Sequence, residues 1–199
     1  MKKTLLGVMT ALVLLGAAPR AEAKLFEFWG SGLMGYAWGQ GNSEKDFYRW
    51  VRGGAVGAEV GIKILFIGAF VDYLRFFGGD SGANLLSFNL GGDYALDFGK
   101  TFSLVFRLAF AYYLGGLPDN ATYTIPGTSI SAQNVETRGI GVHGGLGPRF
   151  NFLKVLSVGV TPEVGYHYFF GGADQSIIDG NSQGFDFSIL AYLRVGLGF

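Results

Sequence analysis

Ten side chains carry most of the chemistry in the patterned segments of this sequence: Glu27, Glu59, Asp72, Asp93, Arg107, His143, Arg149, Glu163, His167 and Arg194. Asp97 and Asp186 stand in the same pattern. Acids beside arginines make ion pairs, and a histidine beside a carboxylate exchanges a proton near neutral pH. Nucleophilic catalysis would need a hydroxyl placed by a base. His143 is followed by Gly144 and Gly145, and His167 by Tyr168 and Phe169, so neither heads a His-x-Ser pair. Metal binding would need a third ligand at a recognisable spacing, and the two histidines lie on separate segments without one. The glycine pairs Gly53-Gly54 and Gly144-Gly145 open no helix, so they read as bends in strands and not as phosphate cradles. No catalytic, metal or cofactor residue is assigned.

The elements that must position these residues are strands. Residues 185–199 read FDFSILAYLRVGLGF. Phe185, Phe187, Ile189, Ala191, Leu193, Val195, Leu197 and Phe199 form one apolar set, and the intervening residues include Asp186, Ser188 and Arg194. Strand side chains point alternately to opposite faces, so one face is greasy and the other polar. The same alternation recurs at 25–38, 53–62, 65–77, 84–98, 102–114, 137–151 and 155–170, which makes eight strands. Short connections are expected at Lys63-Ile64, Gly99-Lys100-Thr101 and Phe152-Leu153-Lys154. Long ones fall at 39–52, 78–83, 115–136 and 171–184. The fold class is all-β, an eight-stranded antiparallel up-and-down transmembrane barrel.

The composition agrees. The chain has 34 glycines, 29 Phe plus Tyr, 49% hydrophobic residues and a formal charge of zero. Neutral charge gives no ground for nucleic-acid binding. Apolar runs after the N-terminal segment, such as Ile64 to Val71, stop at roughly half the ~20 residues a membrane helix needs. A soluble barrel would have to pack the apolar face inward, into a space only wide enough for ordinary side-chain filling. Aromatics on the apolar face gather at strand ends. Phe26, Phe28, Phe98, Phe102, Phe150, Phe152 and Phe199 lie at the short-turn end; Tyr36, Trp38, Tyr73, Phe77, Tyr112, Tyr166, Tyr168 and Phe170 lie at the other. Such belts suit two headgroup interfaces.

The polar face then lines a lumen, where charges must be paired or hydrated. Hairpin counting places Asp93 opposite Arg107 and predicts an ion pair there. It places His143 opposite Glu163, Gly61 opposite Phe66 and Gly57 opposite Phe70. Barrel closure makes Glu27 and Arg194 neighbours. The cluster reads as a packed polar plug, helped by inward Phe66, Phe70, Leu74 and Phe76. The competing reading is a proton or ion path.

Residues 1–23 carry Lys2, Lys3, an apolar stretch from Leu5 to Ala18, and Ala21-Glu22-Ala23. That is the pattern of a secretory signal with an A-x-A cleavage site. The expected mature domain is 24–199. No cysteine follows, which excludes a lipid-anchored N-terminus and disulfides.

From the signal, the alternating strands, the four long loops and the terminal LRVGLGF, the chain resembles the small eight-stranded outer-membrane barrels, the OmpA transmembrane-domain and OmpX type, over 24–199. The resemblance implies a bacterial outer membrane as location and outer-membrane lipid as surroundings. It also implies insertion by the barrel-assembly machinery through the C-terminal strand ending at Phe199. A structural or surface-interaction role is implied. Loop 115–136, the longest connection and one that mixes polar residues with Tyr123, Ile125 and Ile130, is the expected contact for a surface ligand. No peptidoglycan-binding domain follows the last strand, so cell-wall tethering is not carried over. The alternative is a narrow conduit for small or hydrophobic solutes, of the OmpW type. A minor alternative is a lipid-A-modifying barrel enzyme. The deacylase type resembles this chain in size and topology, but its His-x-Ser pair is missing here. The palmitoyl-transferase type finds only Asp80-Ser81, with no histidine at the outer rim.

Overall fold

The computed structural model describes residues 26–41, 53–65, 67–77, 84–116, 123–124, 131–132, 136–153, 155–170 and 182–198. Eight long strands close a barrel: β1 (Phe26–Gly41), β2 (Gly53–Ile64), β3 (Ile67–Phe77), β4 (Asn84–Phe98), β5 (Phe102–Gly116), β8 (Glu136–Asn151), β9 (Leu156–Phe170) and β10 (Ser182–Gly198). Between β5 and β8 lies a separate two-stranded hairpin, β6 (Tyr123–Thr124) with β7 (Ser131–Ala132). Every neighbouring pair is antiparallel, and β1 closes on β10. The predicted signal segment, Phe66, Asp80-Ser81, Phe199 and most of loop 115–136 lie outside the described residues.

The stagger follows from the pairing. Starting at Phe28 and stepping round the wall leads through Ile62, Ala69, Gly92, Leu108, Gly144, Val164 and Phe187 to Trp38. The path returns to β1 from residue 28 to residue 38, a shear of ten. Strands in such a barrel tilt by about 40° and leave an interior that side chains can fill.

The two faces sort as the alternation predicts. Leu108, Phe110, Val164 and Leu193 are each more than half exposed on the outer wall. On the inner wall Glu59, Arg107, Tyr113, His167 and Arg194 are buried. No described helix is long and apolar enough to cross a membrane. An exposed apolar belt suits lipid when the wall behind it is closed, because closure leaves no open sheet edge. The belt ends in aromatic contacts. Phe98, Phe102 and Phe150 touch in series at 5.7 and 5.3 Å at the short-turn end. Tyr36, Trp38 and Phe187 do the same at 4.6 and 5.7 Å at the long-loop end.

Two of the three short turns differ from expectation. The β2–β3 strands run on to pair Ile64 with Ile67, so the chain turns beyond Ile64 and not at Lys63-Ile64. Leu65 takes φ of 57°, the left-handed conformation that a two-residue hairpin requires. The longer strands keep Lys63 buried in the lumen and put Ile64 and Ile67 into the apolar belt. Gly61 therefore opposes Phe70, and Gly57 opposes Leu74. In the β8–β9 hairpin Asn151 opposes Ser157, because Phe152 donates to the Leu156 carbonyl at 3.0 Å and closes a wider turn. His143 consequently opposes Gly165, and Glu163 opposes Gly145. The Gly99-Lys100-Thr101 turn stands as expected, with Phe98 opposite Phe102.

The register gives a direct test. Leu108→Arg puts a charge on the lipid side near mid-wall and should cost about 2–4 kcal/mol. Ala109→Ser, one residue on and facing inward, should be mild. Equal tolerance of both in a detergent folding assay would place the faces the other way round.

Candidate functional site: the charged lumen

The centre of the lumen is organised by Glu59. Strand pairing sets Ser31 of β1 between Glu59 of β2 and Arg194 of β10. Ser31 donates to Glu59 Oε1 at 3.2 Å, and the Trp29 indole N–H donates to the same oxygen at 2.8 Å. Arg194 reaches Oε1 at 3.0 Å, and Arg107 crosses from β5 to Oε2 at 2.5 Å. One buried carboxylate thus takes two neutral donors and two guanidiniums. Such charge-assisted bonds are roughly twice as strong as neutral ones.

Both arginines are also stacked on rings. Arg107 lies 4.1 Å from the Phe70 centroid and Arg194 lies 4.4 Å from the Trp29 ring. Gly61 makes the second contact possible, since a Cβ there would overlap the Trp29 ring. Arg107 further faces Asp72 at 3.5 Å and Glu163 at 3.7 Å. Asp72 accepts from Asn89 at 2.6 Å, and Asn89 from Ser87 at 2.8 Å.

The predicted Asp93–Arg107 ion pair is not made, although the two residues stand opposite each other in register. Asp93 pairs with Arg194 at 3.3 Å, and Arg107 goes to Glu59. Stacking on Phe70 aims the guanidinium across the lumen and away from its own cross-strand neighbour. Arg194 likewise turns to Glu59 and Asp93 and not to the expected Glu27; Glu27 stands in register with Lys63 and Gly198.

Toward the short turns a smaller set follows. Arg149 faces Asp97 at 3.6 Å, Asp97 accepts from Ser103 at 2.6 Å, and Asn151 donates to Ser103 at 3.4 Å.

Toward the long loops the two histidines meet. His167 Nε2 lies 2.6 Å from Asp186 Oδ1, and His143 Nδ1 lies 3.8 Å from Asp186 Oδ2. The other ring nitrogen of His143 is hydrogen-bonded to the Tyr113 hydroxyl. The ring centroids are 5.0 Å apart. Gly165 leaves the room, since a Cβ there would collide with Asp186 and the His143 ring. The expected partner of His143, Glu163, is displaced from it by the wider β8–β9 turn. Sequence reasoning set Asp186 on the inward face but joined neither it nor Tyr113 to the histidines. Their convergence needs the closed barrel, which brings β5, β8, β9 and β10 side by side. Around this cluster an apolar layer fills the lumen, with Leu74, Phe76, Leu85, Tyr113, Phe169 and Leu190 among its members. Among the described residues, no group of three His, Cys, Asp or Glu side chains is arranged to hold a metal ion.

No protein-family model matches the chain, and no curated protein sequence does. Solved structures do. Neisserial surface protein A is 16% identical, covering 87% of this chain and 97% of that one, with a TM-score of 0.50. A major outer membrane protein from Thermus thermophilus is 12% identical over 86% and 99%, with a TM-score of 0.46. The attachment invasion locus protein Ail of Yersinia pestis is 12% identical over 85% and 99%, with a TM-score of 0.40. At such identities the likeness is one of fold. The chain has the fold of the small eight-stranded outer-membrane β-barrels.

The geometry predicts which charges are coupled. Glu59→Gln leaves two buried arginines short of a counter-charge and should cost about 3–5 kcal/mol in denaturant unfolding. A double-mutant cycle on Glu59 and Arg107 should be strongly non-additive. One on Asp93 and Arg107, which are joined only through Arg194 and Glu59, should show the smaller coupling of the two. The reverse ranking would restore the cross-strand pair.

Proposed function

We propose that this chain is a bacterial outer-membrane barrel with a structural or surface-interaction role. It offers a rigid, sealed scaffold whose long loops meet partners. The observation that carries this reading is the filling of the lumen. A charged network centred on Glu59 and an apolar layer beneath the long loops occupy the interior in series. Closure of the barrel by β1 on β10 leaves no open sheet edge, which counts against the hydrophobic-solute conduit. The absence of a His-x-Ser pair counts against the lipid-A-deacylase reading.

In this reading residues 1–23 are removed on export and the final strand, ending at Phe199, is read by the assembly machinery. Partners are met at the loops, residues 115–136 foremost. That connection is the longest and carries Tyr123, Ile125 and Ile130 among Pro, Asn, Thr and Ser. Loops held by a rigid scaffold are where binding residues concentrate.

Planar-bilayer recording at neutral pH tests the sealed lumen. The purified protein should show no steady conductance, and stable openings would favour the conduit. Shortening 115–136 to a tight turn tests the loop. The variant should still fold, seen as heat-modifiable gel migration, and should lose surface binding. Binding that survives the deletion would move the contact elsewhere.

A further inference from the structure

We propose that the Tyr113–His143–Asp186–His167 cluster is an acid-operated latch that holds the long-loop half of the lumen shut. The inference rests on the reading of the lumen as sealed at neutral pH. Each of four strands adjacent in the wall, β5, β8, β9 and β10, supplies one member, so the cluster ties half the barrel together from inside. Tyr113 and His167 are fully buried, and Asp186 nearly so.

The cluster is mechanically joined to the apolar layer. The Tyr113 ring stands edge-on to His167 at 4.8 Å and 86°, and packs on Phe169 at 5.4 Å. Tyr113 and Phe169 belong to the layer that includes Leu74, Phe76 and Leu85. Whatever moves the imidazoles moves the seal.

Charge counting gives the direction. Asp186 provides one negative charge for two histidines. With one imidazole protonated the site is balanced. With both protonated, two cations with centroids 5.0 Å apart share one carboxylate in an enclosed space. The other described acids facing this side are Glu163 on β9 and Asp72 on β3, and both are engaged with Arg107, at 3.7 and 3.5 Å. The remaining described inward residues nearby are uncharged: Ser87 and Asn89 on β4, Ser188 on β10, and Ala37 and Ala55 on β1 and β2. In the tautomer that turns the Nδ1 proton toward the Asp186 carboxylate, His143 Nε2 accepts from Tyr113, and protonation makes it a donor, so the Tyr113 O–H must turn away. Acid therefore loosens the latch from both ends.

The test follows planar-bilayer conductance from about pH 7.5 down to about pH 3.5, a range wide enough to protonate imidazoles enclosed in the wall. The wild-type protein should be closed at the higher pH and open several-fold more often at the lower. His143→Asn combined with His167→Asn should abolish the response, with folding checked by heat-modifiable migration. If the double variant does not fold, His143→Gln, which keeps a hydrogen-bonding group toward Tyr113, is read in its place. A second readout uses the absence of native cysteine. Ala111→Cys, inside the lumen beside the cluster, should be labelled faster by a charged methanethiosulfonate at low pH. Thiol reactivity itself falls in acid, so acceleration reports exposure. Closure at both pH values, or an equal acid response in the histidine variant, overturns the latch alone. Steady conductance at neutral pH overturns the sealed-lumen reading on which it rests.

Discussion

Glu59 draws hydrogen bonds from Trp29 and Ser31 on β1, from Arg107 on β5 and from Arg194 on β10. A lone carboxylate so far from water would be severely penalised, and so would two lone guanidiniums. Each is tolerable only because the others are present and fixed. The arginines in turn hold Asp72, Asp93 and Glu163. Most of the central lumen therefore answers to one side chain, and the walls that carry its partners are locked at a set distance.

This arrangement depends on register as much as on charge. A shear of ten in eight strands brings β2, β5 and β10 close enough for their long side chains to meet. A slip by one residue in any strand would send its charges into lipid and its leucines into the lumen. The apolar belt and the charged core therefore enforce each other. Lipid rejects the slipped register from outside, and the ion network rejects it from inside. The same closure gathers Tyr113, His143, His167 and Asp186 at one level of the wall. A site without a linear signature thus arises from strands far apart in sequence.

Much of the fold was legible in the residues themselves. The alternation in Phe102 to Leu114 and in Phe185 to Leu197 set the faces, because period two leaves one way to put charge inside. The Gly99-Lys100-Thr101 turn was legible because glycine takes the positive φ found there. The turn that begins at Leu65 was not, since leucine is an unexpected residue for a left-handed position. The β8–β9 turn was missed because its width depends on backbone bonds to Leu156 that no residue type announces. The candidate site shows the same division. Which residues face inward followed from pattern, and Glu59, Asp72, Asp93, Arg107, Arg149, Glu163, His167 and Arg194 are buried in the structure. Which of them touch did not follow, because arginine side chains reach across the lumen, and their direction is set by stacking on Phe70 and Trp29.

The Trp29 indole N–H is the most direct probe of the Glu59-centred network, because it donates to Glu59 and lies beneath the Arg194 stack. Its hydrogen exchange can be followed by NMR in detergent micelles beside that of Trp38, which is exposed on the outer wall. The account predicts that the Trp29 proton persists long after that of Trp38 has exchanged, and that Glu59→Gln removes the protection while the barrel stays closed. Exchange of Trp29 as fast as Trp38 in the unmodified protein would contradict it.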